Sequence, residues 1–127
     1  MDRHAELPEG LKQLAGEEYC YVTTTGRVSG HPHEIEIWFG VEEDVLYLLS
    51  GGGENSDWVK NMRVHPNVKV RLGKHSFSGT ARFELNAEEE FQARHRLAAK
   101  YQGWREGKPL SDWARTALPV AIEMAVP

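Results

Sequence analysis

The sequence has 127 residues, of which 40% are hydrophobic and 27% are charged, and these values are typical of one globular domain without a disordered tract. Its formal net charge is −4, so the chain has no overall positive field that would attract nucleic acid. No apolar stretch reaches 18 residues and Met1 to Glu6 form no signal-peptide core, which predicts a cytoplasmic protein without a transmembrane segment.

The first half of the chain predicts a short helix followed by strands that tight turns connect. Apolar residues recur at helical spacing within residues 7–15, before Gly16, which predicts an amphipathic helix. Segments that are rich in β-branched and aromatic residues, or that alternate in polarity, predict strands over residues 19–25, 33–40 and 45–50. Because the connecting turns are short, we expect these three strands to form an antiparallel meander.

The second half of the chain predicts helices placed between further strands. Three glycines at residues 51–53 and N-cap candidates at Asn55, Ser56 and Asp57 lead into a predicted helix over residues 58–63, which Pro66 terminates. Asn86 and Glu89 have the spacing of a capping box, which predicts a long helix. That helix runs to Gln102, and its expected apolar face consists of Phe91, Leu97, Ala98 and Tyr101. The other predicted elements are strands over residues 68–72, 77–85 and 118–126 and a helical turn over residues 111–115.

These elements indicate the fold class. Six strands, mostly antiparallel, with a few helices between them predict a mainly β protein with flanking helices (α+β), in which the strands close into a small barrel. We expect one domain over residues 1–127.

Two glycine-containing loops are candidate sites for an anion. Glycines 51–53 allow close approach to a ligand in front of a helix N-terminus, although a flexible surface loop without a ligand has the same pattern. The turn over residues 26–30 offers the cation of Arg27 and the hydroxyl of Ser29 for a phosphate, or is an ordinary hairpin turn. In the helix after the three glycines, Trp58 and Asn61 share a face that either is core or packs against a planar ring.

Other patterns point to no chemistry. Cys20 is the only cysteine, so internal disulfides and multi-cysteine metal motifs are excluded, and a buried inert thiol is expected. His31 and His33 would lie on one face of a strand, but two histidines are too few for a zinc site, and we expect no metal. The sequence contains no nucleophile elbow, Walker loop or dinucleotide-binding glycine fingerprint.

Three stretches together resemble the deazaflavin-dependent nitroreductase family. They are Thr24-Thr25-Gly26-Arg27-Val28-Ser29-Gly30-His31-Pro32, Ser50-Gly51-Gly52-Gly53 with Asp57-Trp58-Val59-Lys60-Asn61, and His65-Pro66-Asn67-Val68. The segment over residues 113–120 is similar to the C-terminal part of that family. The motifs are weak singly but fairly specific jointly, and the resemblance covers residues 19–72 and 113–122.

The resemblance implies an antiparallel split β-barrel of the pyridoxamine-phosphate-oxidase type that binds coenzyme F420 in a groove. It also implies hydride transfer from the reduced deazaflavin to a quinone, a nitro compound or an activated alkene. The positions that match the family's coenzyme-binding residues are Arg27, Val28, Ser29, His33, Trp38, Ser50, Gly51, Gly52, Trp58 and Asn61. By position, Arg27 and Ser29 would contact the phosphate tail, Trp58 and Asn61 the far side of the coenzyme, and Trp38 the neighbourhood of the ring.

The chain departs from the family pattern at three positions where members commonly carry basic residues. These positions are occupied by Val28, His33 and Gly51. Fewer cations favour a ligand with fewer negative charges, so FMN remains the alternative coenzyme. A non-catalytic protein that binds a flavin or a tetrapyrrole is a further alternative, as is a barrel that only dimerises and regulates.

For the acceptor side of the site, we predict that Trp104 and Trp113 border the pocket of a small-molecule electron acceptor. Tyr101 or Tyr21 is a candidate proton donor by residue type, but the residue type favours a packing aromatic with a satisfied hydroxyl for each of them. A homodimer is expected, because small split barrels commonly bury one sheet face against a partner.

Overall fold

The architecture is a curled antiparallel sheet flanked by helices, seen in a computed structural model that describes residues 11–125. The seven strands are β1 (Cys20–Thr25), β2 (Pro32–Ile37), β3 (Gly40–Glu42), β4 (Val45–Ser50), β5 (Asn67–Leu72), β6 (His75–Arg82) and β7 (Leu118–Met124). The helices are α1 (Asp57–Val64), α2 (Ala87–Gln102) and α3 (Asp112–Thr116), with a 3₁₀ turn over Gly53–Asn55 before α1. Within the described residues, no helix combines the length and apolar character needed to cross a membrane.

The strand order explains why the sheet curls. The order is β2-β1-β5-β6-β7-β4-β3, and every neighbouring pair is antiparallel. β2 and β3 therefore lie at opposite edges of the sheet, yet only Trp38 and Phe39 separate them in the chain. Because three peptide links reach at most about 11 Å, the two edges must lie close together. The sheet is consequently an open barrel with a split along the β2 and β3 edges.

The prediction of one strand over residues 33–40 within a meander was wrong. β2 pairs with β1, whereas β3 pairs with β4 on the far side of the sheet. The backbone between them bonds to side chains of α2 instead of to a strand: Phe39 N–H donates to Tyr101 Oη at 3.0 Å, and Lys100 Nζ donates to Phe39 O at 3.3 Å. The alternation of apolar residues continues through this bend because Phe39 is fully buried, so the pattern did not reveal that the strand changes partners.

Two apolar clusters, one inside the barrel and one under α2, hold the elements together. The inner cluster includes Val22, Phe39, Leu48 and Ile122, and the outer one packs Ala93 and Leu97 of α2 against Tyr47 and Leu49 of β4. Burying one Val, Leu, Ile or Phe side chain of these clusters contributes about 1.5–3 kcal/mol to the stability of the fold.

The predicted helices largely agree with the observed ones. Asn86 accepts a hydrogen bond from the Glu89 backbone N–H, and the full capping box begins α2 as predicted. Phe91 does not join the buried face, because it is 52% exposed and stacks on His95 one turn later. Residues 11–14 are helical, with Leu11 buried, whereas residues 7–10 of the first predicted helix lie outside the described residues.

The strand boundaries of the second half differ by a few residues. β6 begins at His75 and ends at Arg82, so residues 83–85 leave the sheet earlier than expected. β7 ends at Met124, and residue 126 of the predicted closing strand lies outside the described residues. The order of the predicted elements is otherwise preserved.

Candidate functional site

A cleft of about 470 Å³ opens between the β1–β2 turn and the first turns of α1. We refer to it as the turn cleft. It contains six of the predicted coenzyme-binding residues, namely Arg27, Val28, Ser29, His33, Trp58 and Asn61. Its remaining lining residues are Thr24, Gly26, Glu34, Ile35 and Asp57.

Asn61 fixes the β1–β2 turn to α1. Its side chain is 4% exposed, and its Oδ1 accepts hydrogen bonds from Arg27 N at 3.1 Å and Arg27 Nη1 at 2.8 Å. Its Nδ2 donates to Thr24 Oγ1 at 3.2 Å. A buried amide must satisfy its polar atoms, and these bonds do so by holding both the backbone and the guanidinium of Arg27. Asn61 thus sets the direction of the arginine in the cleft.

Arg27 also contacts Asp57, the first residue of α1. Nη2 donates to Asp57 Oδ1 at 3.1 Å, and Nη1 lies 3.4 Å from Asp57 O. The cleft carries a second carboxylate on Glu34, which lies 3.6 Å from Arg71 of β5. The turn cleft therefore combines one arginine with two carboxylates, and its net charge is −1 with His33 neutral.

The β1–β2 turn brings Ser29 and His33 together over a glycine. Gly26 N donates to His31 O at 2.8 Å, and His31 N donates to Ser29 Oγ at 3.1 Å. A Cβ on Gly26 would lie 2.7 Å from Ser29 Oγ and 2.8 Å from His33 Nε2. Such contacts are too short, so a glycine is required at this position for the two polar side chains to converge.

A second cavity of about 370 Å³ lies next to the turn cleft and is called here the tryptophan cavity. Trp38 stacks on Tyr101 with ring centroids 4.4 Å apart and meets Trp113 edge-on at 5.5 Å. The cavity is lined by Tyr19, Glu36, Ile37, Trp38, Leu49, Gln102 and Trp113.

Strand β2 connects the two cavities. Ile35 lines the turn cleft and Ile37 lines the tryptophan cavity. Alternate residues of a strand point to the same face and are about 7 Å apart. The two cavities thus follow one another along β2, with Arg27 at the end near the turn and Trp38 and Trp113 at the other end.

The glycine loop after β4 contacts both the start of α1 and Trp113 of the tryptophan cavity. Ser50 is 2% exposed, and its Oγ donates to Gly53 O at 3.0 Å and bonds with Ser56 Oγ at 2.8 Å. A Cβ on Gly52 would lie 2.6 Å from Ser56 Oγ, and one on Gly51 would lie 3.4 Å from Trp113 Cδ1. Ser50 and Gly52 thus shape the entry to α1, whereas Gly51 packs against the tryptophan cavity.

Trp104 and Trp113, which the sequence predicts at one pocket, have different contacts in the structure. Gly103 ends α2 with a left-handed φ of 67°, and Trp104 N donates back to Ala98 O at 3.2 Å. The reversed chain puts the Trp104 ring edge-on to His95 at 4.6 Å, and its Nε1 donates to Lys108 O at 2.7 Å. The tryptophan cavity consequently contains Trp113 but not Trp104.

The two candidate proton donors are both engaged in hydrogen bonds. Tyr101 Oη donates to Glu18 O at 2.8 Å and accepts from Phe39 N, and burial raises the pKa of Tyr101 to about 12. Tyr21 Oη donates to Glu36 Oε2 at 2.6 Å, and this bond raises the pKa of Tyr21. These contacts favour packing and orienting roles for both tyrosines.

Sequence reasoning missed several residues of the site. In the sequence, Asp57 is only one residue of a family motif at a helix start. No local pattern pairs it with Arg27, which lies 30 positions earlier. The tryptophan cavity is also lined by Tyr19, Leu49 and Gln102, which come from three distant parts of the chain. No local pattern predicts that they lie together. Within residues 11–125, no three histidine, cysteine, aspartate or glutamate side chains gather in a group that could hold a metal ion.

Solved structures with the same architecture include three informative relatives. A Bacteroides thetaiotaomicron protein provisionally described as a 5-nitroimidazole antibiotic resistance protein has a TM-score of 0.70 and 19% identity, covering 91% of this chain and 78% of its own. A Listeria innocua protein provisionally described as a pyridoxamine 5′-phosphate oxidase has a TM-score of 0.64 and 18% identity, with 94% and 93% covered. An F420-H2 dependent reductase has a TM-score of 0.61 and 24% identity, with 85% and 94% covered.

At these identities the structural likeness establishes the fold, and it confirms the predicted split β-barrel. No curated protein sequence matches the chain. The model of the family described as F420H(2)-dependent quinone reductase matches residues 2–124, which confirms the predicted deazaflavin coenzyme. The chain therefore belongs to the F420H(2)-dependent quinone reductase family and is an F420-dependent oxidoreductase.

Proposed function

We propose that this oxidoreductase reduces a quinone, a nitro compound or an activated alkene, with coenzyme F420 lying along β2. The observation that carries the proposal is that residues of one strand, β2, line both the turn cleft and the tryptophan cavity. One end offers an arginine that a buried asparagine orients, and the other offers flat apolar walls. A coenzyme that joins a phosphate tail to a planar ring matches both ends.

The donors in the turn cleft fit a phosphate group. A guanidinium has five N–H groups, and three of those of Arg27 are directed to Asn61 Oδ1, Asp57 O and Asp57 Oδ1. The remaining two have no partner among the described residues, so they are available to a phosphate oxygen. Arg27, Val28, Ser29 and His33 would hold the phosphate tail, and Trp58 and Asn61 would form the far wall of the cleft.

When bound, reduced F420 supplies a hydride, which is two electrons and a proton, from its deazaflavin ring. The chain's own contribution is orientation: Trp38, fixed between Tyr101 and Trp113, provides a rigid wall for a flat molecule. Leu49 and Ile37 add apolar surface beside the rings, and Tyr19, Glu36 and Gln102 add polar atoms at the same cavity. Since Tyr101 Oη is bonded to backbone groups, we assign the proton that completes reduction to solvent.

A second candidate is an FMN enzyme. The turn cleft has one arginine facing two carboxylates, and FMN brings one phosphate without an acidic tail. A non-catalytic flavin or tetrapyrrole carrier would use the same groove but would reduce no acceptor.

The deciding experiment is a fluorescence titration of the purified, coenzyme-free protein with F420 and, separately, with FMN. We expect a micromolar dissociation constant for F420 and a roughly tenfold weaker one for the Arg27→Gln variant, because the phosphate loses its cation. Tight binding of FMN alone would assign the chain to the FMN class. Binding of F420 that Arg27→Gln leaves unchanged would place the phosphate outside the turn cleft.

The acceptor site is tested by turnover of the F420-loaded protein with a naphthoquinone and a nitroaromatic compound. Trp113→Leu removes a wall of the tryptophan cavity and should raise KM for the acceptor several-fold, whereas the matched Trp104→Leu variant should not. Equal effects of both substitutions would contradict an acceptor at Trp113. Reduction of no compound of these classes would favour the carrier alternative.

We further propose that residues 1–127 form a single domain that works as a homodimer in the cytoplasm. A continuous seven-stranded sheet supports the single domain, and a single cysteine suits a reducing compartment. Light scattering coupled to gel filtration tests the dimer, for which twice the chain mass of 14.4 kDa is expected.

A further inference from the structure

We propose that Asp57 competes with the coenzyme's phosphate for Arg27 and thereby limits the affinity of the protein for F420. This inference rests on the proposed binding of the coenzyme phosphate in the turn cleft. It assigns a role in coenzyme affinity to a carboxylate that contacts the arginine of the cleft.

The contacts of Arg27 divide into a fixed part and an exchangeable part. The fixed part is the pair of bonds to Asn61 Oδ1, whose side chain is buried and also bonded to Thr24. The exchangeable part is the bond from Nη2 to Asp57 Oδ1, because the Asp57 side chain is 84% exposed. Asp57 can turn into water without breaking any packing, whereas Asn61 cannot move without leaving buried groups unsatisfied.

The Asp57 carboxylate binds the guanidinium of Arg27 in the way that an incoming phosphate would. A carboxylate and a phosphate oxygen both accept charge-assisted hydrogen bonds from a guanidinium. The phosphate can take the two free N–H groups of Arg27, but it gains the Nη2 N–H that faces Asp57 only by displacing that carboxylate. Breaking an exposed ion pair costs little, but a displaced carboxylate on the first residue of α1 stays close to the bound phosphate and repels it. Both effects weaken the binding of the coenzyme.

Other charged groups around the cleft are less suited to this role. Glu34 also lines the cleft, but its carboxylate lies beside Arg71, at 3.6 Å, and no hydrogen bond joins it to Arg27 in the described residues. His33 lies beside Ser29 and Gly26, on the turn side. Asp57 is thus the carboxylate that accepts a hydrogen bond from the guanidinium of Arg27.

The test is the affinity of the coenzyme-free protein for F420, measured by fluorescence titration, in the Asp57→Asn variant. This variant keeps the size of the side chain but removes its charge, and we expect the dissociation constant to fall about three- to tenfold. The matched control is Asp112→Asn. Asp112 is likewise the first residue of a helix after a serine N-cap, is 94% exposed and pairs with Arg115 outside the cleft.

A double-mutant cycle separates competition at Arg27 from other effects of the charge. In an Arg27→Gln background, Asp57→Asn should strengthen binding of F420 by less than about twofold, because only the solvent-screened repulsion of the phosphate remains and there is no guanidinium left to release. An unchanged or weaker affinity in Asp57→Asn alone, or a full gain in the Arg27→Gln background, would overturn the proposal. Asp112→Asn should leave the affinity unchanged, and an equal gain there would also overturn it.

Failure of this inference is distinguishable from failure of the proposed site. If Arg27→Gln does not weaken the binding of F420, the phosphate does not bind in the turn cleft and the premise falls. If Arg27→Gln weakens binding but Asp57→Asn does not strengthen it, the site stands and the competition is disproved. Thermal melting of all variants without coenzyme checks that each one is folded.

Discussion

Within the described residues, the buried polar side chains are Thr24, Ser50 and Asn61. Asn61 belongs to α1, and the other two lie beside this helix. Thr24 and Asn61 bond to each other, and Ser50 bonds to Ser56 at the helix start. Buried polar groups are costly unless they are satisfied, so their concentration here indicates that geometry at the turn cleft matters more than maximal apolar burial. The candidate site is therefore recognisable at the level of single residues.

Asn61→Ala should weaken both the fold and the coenzyme site. The change removes three hydrogen bonds, two of them to Arg27, and leaves Thr24 and the Arg27 backbone without partners. We expect a loss of about 2–3 kcal/mol in the free energy of unfolding by urea and a roughly tenfold weaker affinity for F420. The control is Asn67→Ala, an exposed asparagine with one long bond to Thr80, which should lose less than about 0.5 kcal/mol.

Cys20 makes stability depend on pH. Burial raises the pKa of this fully buried thiol from 9.0 to about 12. In the unfolded chain the thiol ionises near pH 9, so the stability that the neutral thiol provides is fully present below pH 9. It is lost as the pH rises from 9 towards 12.

The measurement compares the wild type with Cys20→Ala by urea unfolding at pH 8 and pH 10. The stability advantage of the wild type should shrink by about 1.4 kcal/mol between these two pH values, since one pKa unit corresponds to about 1.4 kcal/mol. A constant difference would mean that the thiol is not shielded in the folded protein. Effects of titratable groups that do not interact with Cys20 cancel because both proteins contain them.

At the scale of elements, α3 places Trp113 at the tryptophan cavity although the helix has only five residues. Helices of this length are unstable alone, so contacts with α2 must hold it. Arg94 of α2, with its side chain 13% exposed, donates from Nη1 to Ala114 O at 3.0 Å and to Ala117 O at 2.9 Å. These bonds satisfy carbonyl groups at the C-terminal end of α3.

Arg94→Met should release α3 from α2. The variant keeps the apolar stem but loses the donors to the two carbonyl groups, and we expect a loss of about 1–3 kcal/mol in stability. Hydrogen exchange of residues 112–117 should become faster, as should exchange around Trp113. The control Arg115→Met removes an arginine whose side chain is 62% exposed and bonded only within α3 in the described residues, and exchange there should change little.

At the scale of the whole molecule, the closure of the barrel depends on the pairing of β6 with β7. Gly79 of β6 faces inward beside Ile122 of β7, and a Cβ on Gly79 would lie 2.5 Å from Ile122 Cγ2 and 3.3 Å from Glu123 O. A β-branched side chain is stiff, so it cannot easily move away. The glycine allows the strands to curl tightly around the inner cluster.

Gly79→Ala should therefore destabilise the barrel by about 2 kcal/mol, because overpacking at a tight contact forces side chains or backbone to shift. Urea unfolding measures this loss. Gly16→Ala is the control, since a Cβ there meets no atom within 4 Å, and that variant should be neutral or slightly stabilised. Equal stability of the two variants would contradict a tight β6–β7 seam.

The sequence by itself determined those features that depend on neighbouring residues. The capping box at Asn86 predicted where α2 begins, and the glycines predicted the turns. The joint motifs indicated the coenzyme class. The sequence also determined two groups within the turn cleft, since Arg27 to Ser29 stay together in one turn and Trp58 and Asn61 on one helix face in any fold that keeps those elements.

Only the tertiary structure decided the features that depend on distant contacts. The change of partner between β2 and β3 follows from closure of the sheet, and the apolar alternation runs through it unchanged. Gly103 reverses the chain after α2, and Trp104 contacts His95 and does not line the tryptophan cavity. The pairing of Arg27 with Asp57 joins residues 30 positions apart, and such a contact depends on how a turn and a helix pack, which local sequence patterns do not encode.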